Sequence, residues 1–239
     1  MRKAIKRAVA ALWKWFCYTL GILVVALLVY QGWFAAHIWY WVGHNPGSTR
    51  FMQARLERMR ENNPNANLKQ RWASYARISD ELKRAVIVAE DAKFSEHDGF
   101  DWEGIQKAME KNQRRGRVVA GGSTISQQLA KNLFLSGEKN LWRKAQEAVI
   151  TSMLEMLMGK ERILEIYLNV AEWGEGVFGA EAAARHYYGT SAASLNAEQA
   201  ARLAAMLPRP LYYERNRESE FLQRYSETIR ARMPSAQLP

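Results

Sequence analysis

Hydrophobic and polar positions are spread unevenly along this chain, and the unevenness is greatest near its start. Residues 15–36 contain no charged side chain, and their centre reads Gly21-Ile-Leu-Val-Val-Ala-Leu-Leu-Val-Tyr30. As a helix rising about 1.5 Å per residue, this run spans about 33 Å, enough for a hydrocarbon core of about 30 Å. Arg2, Lys3, Lys6, Arg7 and Lys14 precede it with no acid among them, so the positive-inside rule predicts a cytoplasmic N-terminus and an outward-facing body. Trp13 and Trp15 at one end and Trp33, Trp39, Tyr40 and Trp41 at the other match two interfacial aromatic belts. The run exceeds the apolar core of a signal peptide and lacks a small-x-small cleavage site, so an uncleaved anchor is expected.

Beyond residue 36 the pattern becomes that of a soluble helical protein. Residues 43–49 are turn-rich, and Asn62-Asn-Pro-Asn65 ends a short polar helix. Ser79 followed by Asp80 and Glu81 opens a helix with Leu82, Ala85, Val86 and Ala89 as its buried stripe. A second helix starts at Ser123 and Thr124. Residues 141–158 and 160–168 read as two helices broken near Gly159, residues 195–207 as one ended by Pro208, and residues 216–232 as the last. No strand-like alternation, repeat or low-complexity tract is visible. The expected organisation is a basic flank over 1–14, a transmembrane helix over 15–36, a membrane-proximal linker over 37–74 and one mainly α domain over 75–239.

Composition refines this picture. The net charge of +10 implies an anionic partner, but half of that excess lies in the N-terminal flank, so the body is only mildly basic. The single cysteine, Cys17, excludes an intramolecular disulfide framework, and with four histidines it argues against a zinc site.

Three clusters could carry chemistry. In Glu90-Asp-Ala-Lys-Phe-Ser-Glu-His-Asp-Gly99, Glu90 falls where the periodic helix ends, placed either to enter a cleft as a general base or to sit as a solvated helix-end carboxylate; His97 could equally be a packed core histidine. In Gly121-Gly-Ser-Thr-Ile-Ser-Gln-Gln-Leu-Ala-Lys-Asn132, Thr124, Gln128 and Lys131 share one helical face, with Ile125 and Leu129 on another. Hydroxyls, two glycines and a lysine at a helix start outline an anion site, or merely a capped amphipathic helix. In the third, Arg143, Glu147, Thr151 and Glu155 form a polar stripe, and an isolated Arg–Glu pair of this spacing is worth about 0.3–0.5 kcal/mol on a surface.

Taken in order, Glu-Asp-x-x-Phe-x-x-His-x-Gly, Gly-x-Ser-Thr-Ile-x-Gln-Gln-x-x-Lys-Asn, Arg-Lys-x-x-Glu, Lys160-x-x-Ile-Leu-Glu165-x-Tyr-Leu-Asn169 and the stretch from Glu172 to Gly189 resemble the peptidoglycan glycosyltransferase family over about residues 75–210. The Glu172-Trp-Gly sequence is more similar to its monofunctional biosynthetic transglycosylases than to bifunctional penicillin-binding proteins. The resemblance implies a lysozyme-like helical fold that polymerises lipid II, and so gives the anchor and the positive charge a common explanation. It makes Glu90 the base toward the GlcNAc 4-hydroxyl of the acceptor. Glu147 becomes a second catalytic glutamate, either orienting the bases or assisting the departing phosphate. Lys131 and Arg143 would neutralise pyrophosphate, with Gln128, Ser123, Thr124, Asp91 and Lys139 lining the same cleft. Lys139 stands where some members have arginine, which keeps the charge but not the bidentate geometry. Arg114, Arg115 and Arg117 fall where relatives have a membrane-contacting segment; they either hold anionic lipid or substrate phosphate, or form a solvated basic loop.

The chemistry fits the same division of labour. Pyrophosphate leaves once its charge is neutralised, whereas a sugar hydroxyl needs a base; single displacement at an α-linked anomeric carbon then gives a β-(1,4) link. The implied partners are lipid II, the growing glycan, the inner membrane and proteins of cell division or wall synthesis, with no nucleic acid. No cofactor is expected to be required, and the part of a divalent cation is left open. A membrane-anchored lysozyme-like hydrolase is the rival, but it would gain nothing from a pyrophosphate-binding lysine. Ser136-x-x-Lys139 matches a transpeptidase nucleophile pattern, yet no Lys-Thr-Gly triplet follows, so no transpeptidase activity is expected.

Overall fold

The computed structural model describes residues 2–117, 121–135 and 140–239. Lys139 and Ser136, singled out above, lie outside the described residues. The chain divides into two compact units at Gly43/His44.

The first unit is one long helix, α1 (Arg2–Gly43). It runs through both predicted boundaries of the apolar segment. Lys, Arg and Ala are good helix formers, and no proline occurs before Pro46, so nothing in the basic flank stops the helix. Val9–Gly43 is long and apolar enough to cross a membrane. Along it Ile22, Leu23, Val25, Leu28 and Val29 are exposed on all sides, an arrangement costly in water and favourable in lipid.

The second unit begins well before residue 75. Thr49 caps α2 (Arg50–Asn62), its hydroxyl accepting from the Met52 amide, and the helix stops ahead of Pro64. Of the segment read as a linker, residues 37–43 continue α1, and the rest, α2 included, falls within the second unit. Next come β1 (Lys69–Gln70), a 3₁₀ turn at Tyr75–Arg77, α3 (Asp80–Glu90), α4 (Trp102–Arg115), α5 (Ile125–Phe134), α6 (Leu141–Leu157) and α7 (Lys160–Val170). The chain continues through β2 (Glu172–Gly174), β3 (Val177–Phe178), α8 (Ala180–Tyr188), α9 (Ala197–Met206), α10 (Pro210–Arg215) and α11 (Glu220–Arg232). The architecture is mainly α, as expected.

The expected helix starts at Ser79 and Thr124 and the break at Gly159 all occur. Helices α4, α8 and α10 escaped the sequence pattern: α4 buries only Ala108 and α10 only Tyr213, while α8 buries only alanines, Ala180, Ala182, Ala183 and Ala184, which make a weak apolar stripe. The small sheet, ordered β1-β3-β2, also escaped it. Strands of two or three residues are too short to show alternation.

Two layers make the core. In one, α5 packs against α2, α6 and α7, and α7 buries Ile163, Leu164, Ile166, Tyr167, Leu168, Asn169 and Val170, which is most of its circumference. In the other, α9 lies between α3 and α11. Its Ala200, Ala201, Ala204 and Ala205 are buried, and such small side chains let neighbouring helices approach closely. Asn169 joins the first layer to the segment leading into α3: its amide donates to the Ala73 carbonyl while its oxygen accepts from the Ala73 amide, both at 2.8 Å.

Candidate active site

The end of α3, one face of α5 and the first turns of α6 converge on a single polar cluster. Glu90 is the last residue of α3, after which Asp91 leaves helical geometry. Its Oε2 accepts a hydrogen bond of 2.7 Å from Gln128 Nε2 on α5. Its Oε1 is buried and accepts no hydrogen bond among the described residues. Burial raises the Glu90 pKa; the Gln128 bond and the Lys131 charge oppose this, and Asp91 adds to it. A carboxylate held by one donor, with a second oxygen free and a raised proton affinity, is suited to take up a proton.

Lys131 lies one helical turn beyond Gln128. Desolvation lowers its pKa most, helped by Arg143 and Lys144, while Glu147 and Glu90 pull it upward. These influences put α3, α5 and α6 within one electrostatic neighbourhood. On α6, Glu147 is no surface residue: it is 4% exposed and accepts from Arg143 Nη1 at 2.7 Å and Lys144 Nζ at 2.5 Å. Asn140 holds the start of this helix, its Oδ1 accepting from the Arg143 amide at 2.7 Å. The arrangement is a buried carboxylate clamped by two cations, with Lys131 adding a third positive charge nearby. Three cations around one carboxylate leave a net positive field, fit for a diphosphate.

The structure thus brings together Glu90, Gln128, Lys131, Arg143 and Glu147. It assigns Asp91 and Thr124 elsewhere. The buried Asp91 carboxylate accepts from the Ile125 amide at 3.0 Å and pairs with His97 Nε2 at 2.9 Å. Since His97 Nδ1 accepts from the Gly99 amide, Nε2 carries the ring proton toward Asp91. The Thr124 hydroxyl donates to the Gly99 carbonyl at 2.7 Å and accepts from the Gln127 amide, whose side chain in turn accepts from the Thr124 amide. The amides of Thr124, Ile125 and Gln127, donors that looked available to an anion, are therefore taken by protein groups. Asp91 and Thr124 fasten α5 to the 91–99 loop. Ser123, immediately before the cap, is exposed.

A second polar network braces the same loop from below. Glu155 Oε1 accepts from Ser126 Oγ and Lys160 Nζ, and Lys160 also donates to the His97 carbonyl. Gly99 closes the loop at φ 88°, where an added Cβ would lie 2.8 Å from Thr151 Cγ2. Only glycine suits that combination of dihedral and space.

Tyr167, on α7, joins this cluster although sequence reasoning gave it no role beyond its place in a motif. It is 1% exposed, and its hydroxyl donates to Gln128 Oε1 at 3.1 Å. The signal was a lone hydroxyl on a helix face otherwise made of Ile163, Leu164, Ile166 and Val170, which a buried tyrosine occupies only with a partner for its oxygen. Lys144 lies outside the stripe of Arg143, Glu147, Thr151 and Glu155 but reaches Glu147 from three residues before it.

Further out, α4 and the start of α6 expose Trp102, Met109, Leu141 and Trp142, of which Leu141 is 90% exposed. Arg114, Arg115 and Arg117 are exposed around the end of α4. Among the described residues, no group of three or more His, Cys, Asp or Glu side chains is placed to hold a metal ion.

Comparison with known proteins fits this geometry. The Transglycosylase family model matches residues 56–234. The biosynthetic peptidoglycan transglycosylase of Methylobacillus flagellatus is 62% identical over 221 residues, covering 92% of this chain and 96% of the relative. Proteins of the same name from Dechloromonas aromatica and Nitrosospira multiformis are 61% and 59% identical, each over 226 residues, 95% of this chain and 98% of the relative. With the model spanning most of the second unit and the relatives aligned over nine tenths of the chain, the protein belongs to the transglycosylase family.

Proposed function

We propose that this protein is a peptidoglycan glycosyltransferase that builds glycan strands from lipid II. The helical unit has the lysozyme-like fold of its family, and the relatives' shared name points to the same activity. The observation that carries the mechanism is Glu90: a desolvated carboxylate with one oxygen fixed by Gln128 and the other unpartnered, in the same electrostatic field as Lys131.

In this reading Glu90 Oε1 takes the proton of the acceptor's GlcNAc 4-hydroxyl as that oxygen bonds to the α-linked anomeric carbon of the growing chain. The bond from that carbon to undecaprenyl pyrophosphate breaks, and the electron pair leaves on phosphate oxygen. Lys131 and Arg143 neutralise the departing charge, with Lys144 beside them, and the anomeric carbon inverts to a β-(1,4) link. Glu147 acts as the counter-ion that holds Arg143 and Lys144 in place. No step requires a cofactor; a divalent cation at the pyrophosphate would supplement charge that these side chains already supply.

The apolar α1 serves as an anchor in the bacterial inner membrane. Its basic N-terminal flank stays in the cytoplasm and the second unit faces the periplasm, where lipid-linked substrate is polymerised. Trp102, Met109, Leu141 and Trp142 are apolar side chains exposed on that unit. Proteins of cell division or wall synthesis are its expected associates. The deciding experiment is Glu90→Gln given labelled lipid II. It should still bind substrate but form almost no polymer, a fall of about 10²–10⁴-fold for loss of a general base; near-normal polymerisation would refute the assignment.

A further inference from the structure

The base does not meet Gln128 alone. Gln128 bridges two groups that sequence leaves far apart: its Nε2 donates to Glu90 Oε2 at 2.7 Å, and its Oε1 accepts from the Tyr167 hydroxyl at 3.1 Å. A primary amide is two-faced, able to present either two donors or two lone pairs, and little else distinguishes its orientations sterically. What selects one here is the proton on Tyr167. That hydroxyl is buried and donates to Gln128 Oε1. With the amide oxygen claimed, the amide nitrogen must face Glu90.

We propose that Tyr167 is a positioning residue, whose hydroxyl locks the Gln128 side chain in the orientation that donates to Glu90 and so keeps the base ready to accept a proton. The inference rests on Glu90 being the base. A donor at 2.7 Å is satisfied only by the ionised carboxylate or by the carbonyl oxygen of the acid. A flipped amide would instead present its oxygen to Glu90 and favour the protonated, idle form.

Other groups could govern Glu90, and their sites are known. Asp91 adjoins it but is committed to Ile125 and His97. Lys131 on α5 acts on it through charge. Tyr225 on α11 donates to the neighbouring Ala89 carbonyl at 3.2 Å and senses the Glu90 charge. Burial and the nearby Glu90 and Asp91 charges push the Tyr167 pKa well above its ordinary value, so its proton stays in place across the working range. Of these groups, Tyr167 is the one whose hydrogen bond reaches Glu90 through the Gln128 amide.

The test is the pH dependence of lipid II polymerisation for wild type, Tyr167→Phe, Gln128→Leu and the double variant. Removing the hydroxyl leaves the ring packed, and the amide is then free to turn. The acid limb of kcat should move up by about one pH unit, a loss of about tenfold below the limb that is recovered above it, with KM for lipid II little changed. Gln128→Leu should move the limb in the same direction, and the double variant no further than Gln128→Leu alone, because both residues act along one chain. A limb that stays in place in Gln128→Leu, or a uniform drop in kcat across pH in Tyr167→Phe, overturns the proposal. An additive double variant does the same. Glu90→Gln, run alongside, separates the two ideas: if it polymerises normally the base assignment has failed, and if it is inactive while the Tyr167→Phe limb is unmoved only the positioning role has.

Discussion

The Glu147→Gln substitution tests whether the buried glutamate is a counter-ion to the anion site. Glutamine keeps the size of the side chain, and the Thr151 hydroxyl bonds to the backbone carbonyl of residue 147, which remains. What goes is the negative charge between Arg143 and Lys144, which lie 2.7 and 2.5 Å from its oxygens. Breaking a fully buried pair costs about 3–5 kcal/mol. Here the side chain of Glu147 is 5% exposed but those of Arg143 and Lys144 are 17% and 49% exposed, so both cations can regain water and the cost falls to about 1–2 kcal/mol. For a unit of this size that is a melting temperature lower by about 2–8 °C. Pyrophosphate should behave in the opposite sense. In the native protein it competes with Glu147 for the same cations, whereas in the variant it meets them unopposed. The assay is thermal melting at fixed ionic strength with and without inorganic pyrophosphate, beside polymerisation of lipid II. The variant should melt lower alone, gain more from pyrophosphate through tighter binding, and make less polymer because its cations are no longer held in place. An unchanged melting temperature with the same pyrophosphate response as the native protein would refute the reasoning.

Lys131→Ala should weaken both inorganic pyrophosphate and a phosphoglycolipid inhibitor and reduce polymer formation; unchanged binding would mean that this lysine does not meet phosphate. Glu90→Gln should melt higher than the native protein at neutral pH even as it loses activity. The folded state raises the Glu90 pKa, so its contribution to stability is lost as pH rises through that pKa, and an uncharged amide escapes the loss; a lower melting temperature at neutral pH would contradict this. Asp91→Ala should cost about 1–3 kcal/mol by leaving the Ile125 amide and His97 without their acceptor. Its damage should appear as a lower melting temperature, with KM for lipid II near the native value in the folded fraction.

Much of this was legible in the chain. The caps at Ser79 and Thr124 are local, since each side chain bonds an amide within three residues, and local chemistry can be read locally. The apolar run was equally plain, though not its ends, because the flanking residues favour helix as much as the run itself does. The ordered motifs placed Glu90, Gln128, Lys131, Arg143 and Glu147 in one site, and the fold brings them together. The same motifs also marked Asp91 and Thr124, whose work is to tie α5 to the 91–99 loop. A motif records that a residue is needed without recording which way its side chain points.

Sequence alone therefore determined the helical character, the apolar helix long enough to cross a membrane and the candidate reacting groups, because periodicity, charge and residue type act over a few neighbouring positions. Tertiary structure decided the partners. The Arg143–Glu147 pair becomes a buried clamp only because α5 and α7 cover α6 on one side, and Asp91 becomes an anchor only because the start of α5 lands 34 residues later on its carboxylate. Tyr167 reaches Gln128 across 39 residues of chain. Burial and long-range hydrogen bonding are properties of the packed chain, and they turn an ordinary helix-end glutamate into a desolvated one held by a single donor.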